Sequence, residues 1–118
     1  MLNWKRVLQM IKRIAISLKK EYWHQIIDGQ KPVEFRKYAP TEDPEEPFLA
    51  IVHVSGTYAW QGVILFYGAE KDHETGGYCW IIRQVFTLPE GRRPMAYYRK
   101  KNGQPITGWP QTFIELSR

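Results

Sequence analysis

The pattern of apolar and polar positions predicts a strand, a helix and a second strand near the start of the chain. Ile14, Ile16 and Leu18 alternate with smaller or polar residues, which predicts a short strand with those three side chains on its apolar face. From Lys20 to Asp28 the large apolar residues recur at i, i+1, i+4 and i+5, the spacing of one buried helical face. Gly29 follows at the predicted helix end, where a residue without Cβ accepts a positive φ at little cost.

The second strand of this unit alternates apolar with charged side chains. Val33 and Phe35 are predicted to share one face of the strand, and Glu34 and Arg36 the other. Lys31, in the turn just before the strand, lies close to the charged face. Two cations and one carboxylate are therefore expected to come together at the mouth of this turn.

Apolar runs separated by turn signals predict the rest of the sheet. The proline-rich, acidic segment 39–47 is predicted to be an exposed loop between strands. About six strands and two helices, in an order that stops alternating after the first unit, indicate an α+β fold with a mainly antiparallel, curled sheet. The predicted later strands are Phe48–Gly56, Gly62–Gly68, Tyr78–Leu88 and a closing strand supplied by Trp109, Phe113, Ile114 and Leu116.

The first 13 residues have an amphipathic pattern of their own. Trp4, Leu8 and Ile11 recur at helical spacing between basic residues, which predicts a helix over residues 1–13. Such a helix either docks its apolar stripe on the domain or lies on a membrane surface or on nucleic acid. With no linker further on, residues 14–118 are expected to form one domain with its own core.

Composition narrows the classes of function. No apolar run approaches the 18 or more residues of a membrane span, so no membrane partner is expected. Cys79 is the only cysteine, which favours a reducing cytoplasmic setting, and within its apolar run it is expected to fill the core. His24, His53 and His73 have no partners at metal-ligand spacing, so neither a metal nor another cofactor is expected.

The basic residues concentrate at the two ends of the chain. Residues 1–37 carry nine Lys or Arg against three acids, a net charge of +6, and residues 78–118 carry seven against two, a net charge of +5. Residues 38–77 carry one against seven, a net charge of −6. If the ends meet in the fold, they form a face that attracts phosphates, whereas the acidic middle would neutralise them if it lies between.

The charged residues of the second strand are the first candidate for chemistry. Lys31 and Arg36 could hold a phosphate or a carbonyl oxygen, Arg36 in a bidentate fork and Lys31 as a point charge. If burial lowered the pKa of Lys31, it could act as a base or nucleophile while Glu34 moves protons. The alternative is an ordinary Glu34–Arg36 pair on the exposed face of a strand, worth about 0 to 1 kcal/mol.

Two further segments have the composition of a nucleic-acid contact. In the predicted turn containing Ser55, Gly56, Tyr58 and Trp60, an aromatic ring could stack on a base while Ser55 or a backbone N–H reads its edge. The alternative is that Trp60 only covers one end of the barrel. In the second segment, Tyr97 and Tyr98 precede three cations, which suits a phosphate backbone but equally a solvated loop. Its candidate contacts are Tyr98, Arg99, Lys100 and Lys101.

The stretch Ile16–Arg36 resembles the ASCH family of the PUA-like superfamily. That family opens with a strand, a helix and then a turn and strand of the form G-x-K-x-x-E-x-R, and Gly29, Lys31, Glu34 and Arg36 match it here. HVSG at 53–56 and TGW at 107–109 also resemble later parts of the family's domain. The resemblance therefore runs from about residue 14 to residue 116, with the predicted helix over 1–13 outside it.

The resemblance implies a small β-barrel with flanking helices and a cleft beside the G-x-K-x-x-E-x-R strand. Related domains bind RNA, and others resemble hydrolases of acylated cytidine or ribonucleases, so the expected partner is RNA or a modified nucleotide and an enzyme is the alternative. In the small amidohydrolase branch a Thr stands at the position of Glu34 and a further Glu lies downstream. The candidates by residue type for that downstream acid are Glu70, Glu74 and Glu115.

Overall fold

A six-stranded curled sheet and one α-helix make up the regular structure of the described residues. The structure is a computed structural model that describes residues 10–88 and 93–117. Helix α1 begins directly after the first strand and precedes the second. The elements are β1 (Lys12–Leu18), α1 (Lys20–Ile27), β2 (Val33–Arg36), β3 (Phe48–Val54), β4 (Trp60–Lys71), β5 (Tyr78–Thr87) and β6 (Ile114–Glu115).

The strand order across the sheet is β2-β5-β4-β3-β1-β6. β1 runs parallel to β3, and the four other pairs are antiparallel, which confirms the prediction of a mainly antiparallel sheet. β2 and β6 lie at the two edges, and no backbone ladder joins them within residues 10–88 and 93–117. The sheet is therefore a curled half-barrel with one helix, a simpler arrangement than the predicted barrel with flanking helices.

The predicted elements agree with the observed ones in the first half of the chain better than in the second. The predicted helix, the β2 strand and the positive φ of Gly29, here 75°, are all confirmed. β1 begins at Lys12, two residues before the predicted start, and the helix predicted over residues 1–13 falls almost entirely outside the described residues. β4 is longer than predicted, and the predicted closing strand is reduced to the two residues of β6.

The inner face of the sheet packs on α1. Trp23 and Ile26 are the two buried side chains of the helix, and both belong to the main apolar cluster with residues of β1, β3, β4 and β5. Gly62 allows this close packing, because a Cβ there would lie 2.6 Å from the Trp23 ring and 2.5 Å from the carbonyl oxygen of Phe86. The helix is thus held against the sheet at a fixed distance, and the turn after it delivers Lys31 to the start of β2.

The outer face is covered by the C-terminal segment. Trp60 is fully buried there in a second apolar cluster with Ala15, Ile106 and Leu116. The ring of Trp109 meets that of Trp60 edge to face at 4.9 Å between centroids. Parts of the C-terminal segment, including Ile106 and Trp109, therefore form a second layer over the outer face, whereas β6 within the same segment belongs to the sheet itself.

β2 turns its charged face inward, against the usual arrangement of an edge strand. Glu34 is buried, with 5% of its surface exposed, whereas Phe35 beside it is 61% exposed. In the sheet, Glu34 pairs with Trp80 of β5, which is fully buried. The prediction that Glu34 and Arg36 share one face holds, but the alternative of an exposed surface ion pair is wrong.

Candidate functional site

Lys31, Glu34 and Arg36, which we call the charged cluster, lie together at the open edge of the half-barrel. The carboxylate oxygen Oε1 of Glu34 is 3.8 Å from Lys31 Nζ and 3.7 Å from Arg36 Nε. The side chains of the two cations are 17% and 18% exposed, so solvent reaches both. The structure therefore brings together the three residues of the sequence motif around one buried carboxylate.

The second carboxylate oxygen of Glu34 is unusual. Oε2 is buried and has no hydrogen-bond partner. An unsatisfied buried acceptor costs about 1 to 3 kcal/mol, and more when it is charged. Burial is accordingly the main influence on Glu34 and raises the pKa of its carboxyl group, while Arg36, Lys31 and a backbone hydrogen bond at Phe35 act in the opposite direction.

Arg36 closes the gap between the two edges of the sheet. Its Nη2 donates to the carbonyl oxygen of Ser17 in β1 at 2.9 Å, and its Nη1 donates to that of Thr112 at 3.3 Å. The guanidinium also lies over the ring of Trp80, 5.6 Å from its centroid. Burial lowers the pKa of Arg36, and Glu34 opposes that effect. Two donor groups of Arg36 are therefore engaged in hydrogen bonds to backbone carbonyl oxygens of the domain.

The side chain of Lys31 is held less firmly by contacts within the domain than that of Arg36. Its Nζ lies 5.0 Å from the ring centroid of Tyr22 and 5.6 Å from that of Phe35, and its ion pair with Glu34 is long. Both aromatic rings are exposed at the surface. Aromatic faces beside a cation are the combination that binds a base and a phosphate together.

A small cavity opens next to Arg36. Its volume is about 200 Å³, below the roughly 300 to 1,000 Å³ of typical small-molecule pockets. A single ring or a short chain fits this space better than a folded macromolecular segment. Its walls are formed by Arg36, Lys37, Tyr38, Trp80, Gln111, Thr112 and Phe113.

The predicted turn after β3 is observed, but its tryptophan is not available to a ligand. Ser55 and Gly56 form an exposed turn in which Gly56 has a φ of 89°, and Tyr58 is 89% exposed. Trp60 has no exposed surface and packs in the second apolar cluster of the outer face, so it is wrongly placed for the predicted stacking on a base. Of the two aromatic rings in this turn, Tyr58 alone presents a face to solvent.

The predicted basic segment is largely tied to the C-terminal layer. Tyr98 packs edge to face on Trp60 at 5.8 Å and its hydroxyl accepts a hydrogen bond from Arg93. Arg99 donates to the carbonyl oxygen of Gly103, and Lys100 forms a bridge with Leu116. Part of the predicted basic segment is thus engaged in contacts within the domain.

The two ends of the chain do meet, because β1 pairs with β6. Their charges are partly neutralised where they meet: Glu115 lies 2.6 Å from Lys12 and 3.4 Å from Lys101. Lys12 also donates to the carbonyl oxygen of Pro40 in the acidic loop. The basic ends of the chain therefore meet, as one alternative predicted, but acidic groups neutralise part of their charge, as the other predicted.

No second acid joins the charged cluster in the ion pairs of residues 10–88 and 93–117. Glu115 is engaged by Lys12 and Lys101, whereas Glu70 at the end of β4 and Glu74 in the following loop are exposed. Likewise, this part of the chain contains no group of three or more His, Cys, Asp or Glu that could hold a metal ion. No helix in the described segments is long and apolar enough to cross a membrane.

Sequence reasoning missed a second polar pair, on the outer face. Ser17 Oγ lies 2.8 Å from His53 Nδ1, and His53 Nε2 lies 2.9 Å from the carbonyl oxygen of Thr57. The ring of Trp109 stacks on the imidazole at 4.0 Å. The two residues are partners in the parallel β1–β3 register, so the pairing could have been found only from the correct register of two distant strands.

The fold resembles that of ASCH proteins of known structure. A crystal structure of a point mutant of ASCH from Zymomonas mobilis matches with a TM-score of 0.53 and 15% sequence identity, covering 91% of both chains. A further structure of ASCH from the same organism matches with a TM-score of 0.51 and 16% identity, covering 91% of this chain and 89% of the other. A scan against protein-family models finds no match, and neither does a search of curated proteins. The structural likeness shows an ASCH-like fold.

Proposed function

We propose that this ASCH-like domain binds RNA or a modified nucleotide at the charged cluster, with a base or sugar of the ligand donating to Glu34. The observation that carries this proposal is the buried Oε2 of Glu34, which lacks a partner. An exocyclic amine or a ribose hydroxyl supplies the missing donor, and carboxylates accept such bonds from base amines. The unsatisfied oxygen then becomes a point of recognition.

The cations give the ligand its second contact. Lys31 is partly exposed, has a long ion pair with Glu34 and lies beside two aromatic rings, so it is the residue best placed to hold a phosphate. Arg36 is bonded to the backbone across the sheet gap and serves mainly to shape the cavity. Lys31 and Glu34 thus have the direct ligand roles, and Arg36 a supporting one.

A binding experiment with short single-stranded RNAs and modified nucleosides tests this assignment. The ligands are offered as a mixed pool, and retention and mass are followed by mass spectrometry. Replacing Lys31 by Ala should weaken retention of RNA about 10- to 100-fold, the loss expected for one charged hydrogen bond. The slope of log affinity against log salt should also fall by about 0.7, the value for one phosphate on a single strand.

Lys20→Ala is the matched control, because Lys20 is an exposed lysine on α1 outside the cluster. It removes the same charge and should leave affinity nearly unchanged. Equal losses in the two variants, or an affinity that does not change with salt, would overturn the phosphate role of Lys31.

Hydrolysis in the same cluster is the second candidate function. The raised pKa of Glu34 favours it, because a carboxyl group that titrates closer to neutral pH can take and give protons during catalysis. The corresponding reactions are removal of an acyl group from cytidine or cleavage of RNA. Glu34→Gln should then abolish product formation while the fold survives, and the same mass measurement detects the lighter product.

A further inference from the structure

On the outer face, the hydrogen-bond partners of His53 determine which of its ring nitrogens carries the proton. The Thr57 carbonyl oxygen can only accept a hydrogen bond, so Nε2 of His53 must carry the proton that it receives. In the neutral ring Nδ1 is then the acceptor, and the hydroxyl of Ser17, 2.8 Å away, donates to it. The bonding pattern alone therefore assigns the tautomer.

This arrangement has the three parts of an activated nucleophile. A hydroxyl lies within hydrogen-bond reach of a base, and a third group holds the base in the required tautomer. The ring of Trp109, parallel to the imidazole within 1°, fixes its orientation further. His53 is 4% exposed, and Ser17 is half-buried, so the base is shielded while part of the serine remains open to solvent.

We propose that Ser17 is an acyl-accepting nucleophile with His53 as its general base, and that esters with an apolar acyl group are the substrate class. Ser17 Oγ forms a bond to the carbonyl carbon while its proton passes to His53 Nδ1. The ester C–O bond then breaks, and the alcohol leaves with the proton from His53. Water then gives a proton to His53 Nδ1 as its oxygen bonds to the acyl carbon, the bond from that carbon to Ser17 Oγ breaks, and the proton returns to Oγ as the carboxylic acid leaves. The aromatic ring of Trp109 beside the pair suits an apolar acyl group.

The chain supplies its own controls for reactivity. It contains three serines, Ser17, Ser55 and Ser117. Ser55 lies in the exposed turn after β3, so it is more accessible than Ser17, and no histidine bonds to its hydroxyl in the described hydrogen bonds. Selective reaction at Ser17 would reflect activation by His53, whereas reaction governed by access alone would favour Ser55.

Labelling with an alkyl fluorophosphonate tests the proposal on the full chain. The reagent forms an Oγ–P bond and releases fluoride while the serine proton passes to the base. One adduct is expected, on the peptide that spans residues 14–19, where Ser17 is the only serine. Ser17→Ala should remove it, and His53→Gln should slow its formation about 100-fold or more, the range of general base catalysis. Ser55→Ala should label at the wild-type rate.

A second measurement keeps the result clear if a variant folds poorly. The circular dichroism spectrum and melting temperature of each variant are recorded, and hydrolysis of p-nitrophenyl acetate by the wild type is compared with Ser17→Ala. No adduct on folded wild-type protein, or equal labelling of Ser17 and Ser55, would overturn the proposal. The labelling is distinguishable from RNA binding, because among the described contacts the charged cluster contacts Ser17 only through the hydrogen bond from Arg36 to its carbonyl oxygen, and Lys31→Ala should leave the labelling unchanged.

Discussion

The inner and outer faces of the half-barrel each bury a titratable side chain, but the two side chains differ in how completely their polar atoms are hydrogen-bonded. On the outer face, both ring nitrogens of His53 have hydrogen-bond partners. On the inner face, Glu34 has two distant cations beside Oε1 and a backbone hydrogen bond at Phe35 that acts on its carboxyl group, but no partner for Oε2. The described contacts thus satisfy one buried polar group and leave the other incomplete.

Burial favours the neutral form at both places, with opposite consequences for the direction of the shift. It lowers the pKa of the His53 imidazole and raises that of the Glu34 carboxyl group. The hydrogen bonding of His53 is complete, since both of its ring nitrogens have partners. The hydrogen bonding of Glu34 is incomplete, because Oε2 lacks a donor. A ligand that donates a hydrogen bond therefore gains most binding free energy on the inner face.

The largest expected effect on stability comes from removing Arg36, whose hydrogen bonds connect β2 to β1 and to Thr112. Arg36→Ala removes the donors to the Ser17 and Thr112 carbonyl oxygens and leaves Glu34 with Lys31 alone. Breaking a buried ion pair by removing one partner costs about 3 to 5 kcal/mol, and we expect a loss of that size in the free energy of unfolding, measured by urea denaturation at pH 7.

Lys37→Ala is the control for this prediction, because Lys37 is the next residue and exposed. It should change stability by no more than about 0.5 kcal/mol. Similar values for the two variants would mean that Arg36 contributes nothing special to closing the sheet.

On the outer face, we expect His53→Ala to cost about 2 to 4 kcal/mol. The variant loses the stacked contact with Trp109, worth about 0.5 to 1.5 kcal/mol, and two hydrogen bonds worth about 1 kcal/mol each. Urea denaturation again measures the change. His24→Ala, at an exposed position of α1, should be nearly neutral, and a comparable loss there would remove the distinction between the two histidines.

A smaller effect with the opposite sign is predicted for Glu34. Because its folded pKa is raised, the stability that its protonated form confers is present below the unfolded pKa and is lost as pH rises through the folded pKa. Glu34→Gln keeps a neutral side chain at every pH. The variant should therefore be at least as stable as the wild type at pH 7, with the advantage shrinking in acid.

Urea denaturation of both proteins across a pH series measures this difference. Glu45→Gln, at an exposed loop position, is the control and should show no such trend. A Glu34→Gln variant that is less stable at pH 7, with a gap that widens as pH rises, would show that the ion pairs outweigh burial.

The weakest predicted effect is the acid sensitivity that His53 imposes. Its folded pKa is lowered, so the unfolded chain takes up a proton first as pH falls below about 6.5, and stability declines from there toward the folded pKa. His53→Gln should flatten this part of the pH profile, whereas His24→Gln should leave it intact. Melting temperatures between pH 8 and pH 5 provide the comparison.

The sequence predicted that Lys31, Glu34 and Arg36 lie together, because these residues are neighbours in the chain. Lys31, Glu34 and Arg36 fall within six positions, so strand alternation alone places Glu34 and Arg36 on one face. Alternation does not say which face is buried. The inward turn of Glu34 depends on pairing β2 with β5, more than 40 residues later.

The outer-face pair escaped prediction for the related reason of distance along the chain. Ser17 and His53 meet only because β1 and β3 are parallel neighbours in one particular register. The burial of Trp60 has the same origin, since the layer that covers it comes from residues 93–117. Contacts of this kind depend on tertiary structure that local patterns do not contain.

The carboxyl resonance of Glu34, followed by carbon NMR through a pH titration with and without short single-stranded RNA, tests the central claim most directly. We predict a pKa above the ordinary value of about 4.3 for a glutamate in the free protein, and a shift of the Glu34 signal when RNA is added. A pKa at or below the ordinary value, together with a signal that RNA does not move, would contradict the account.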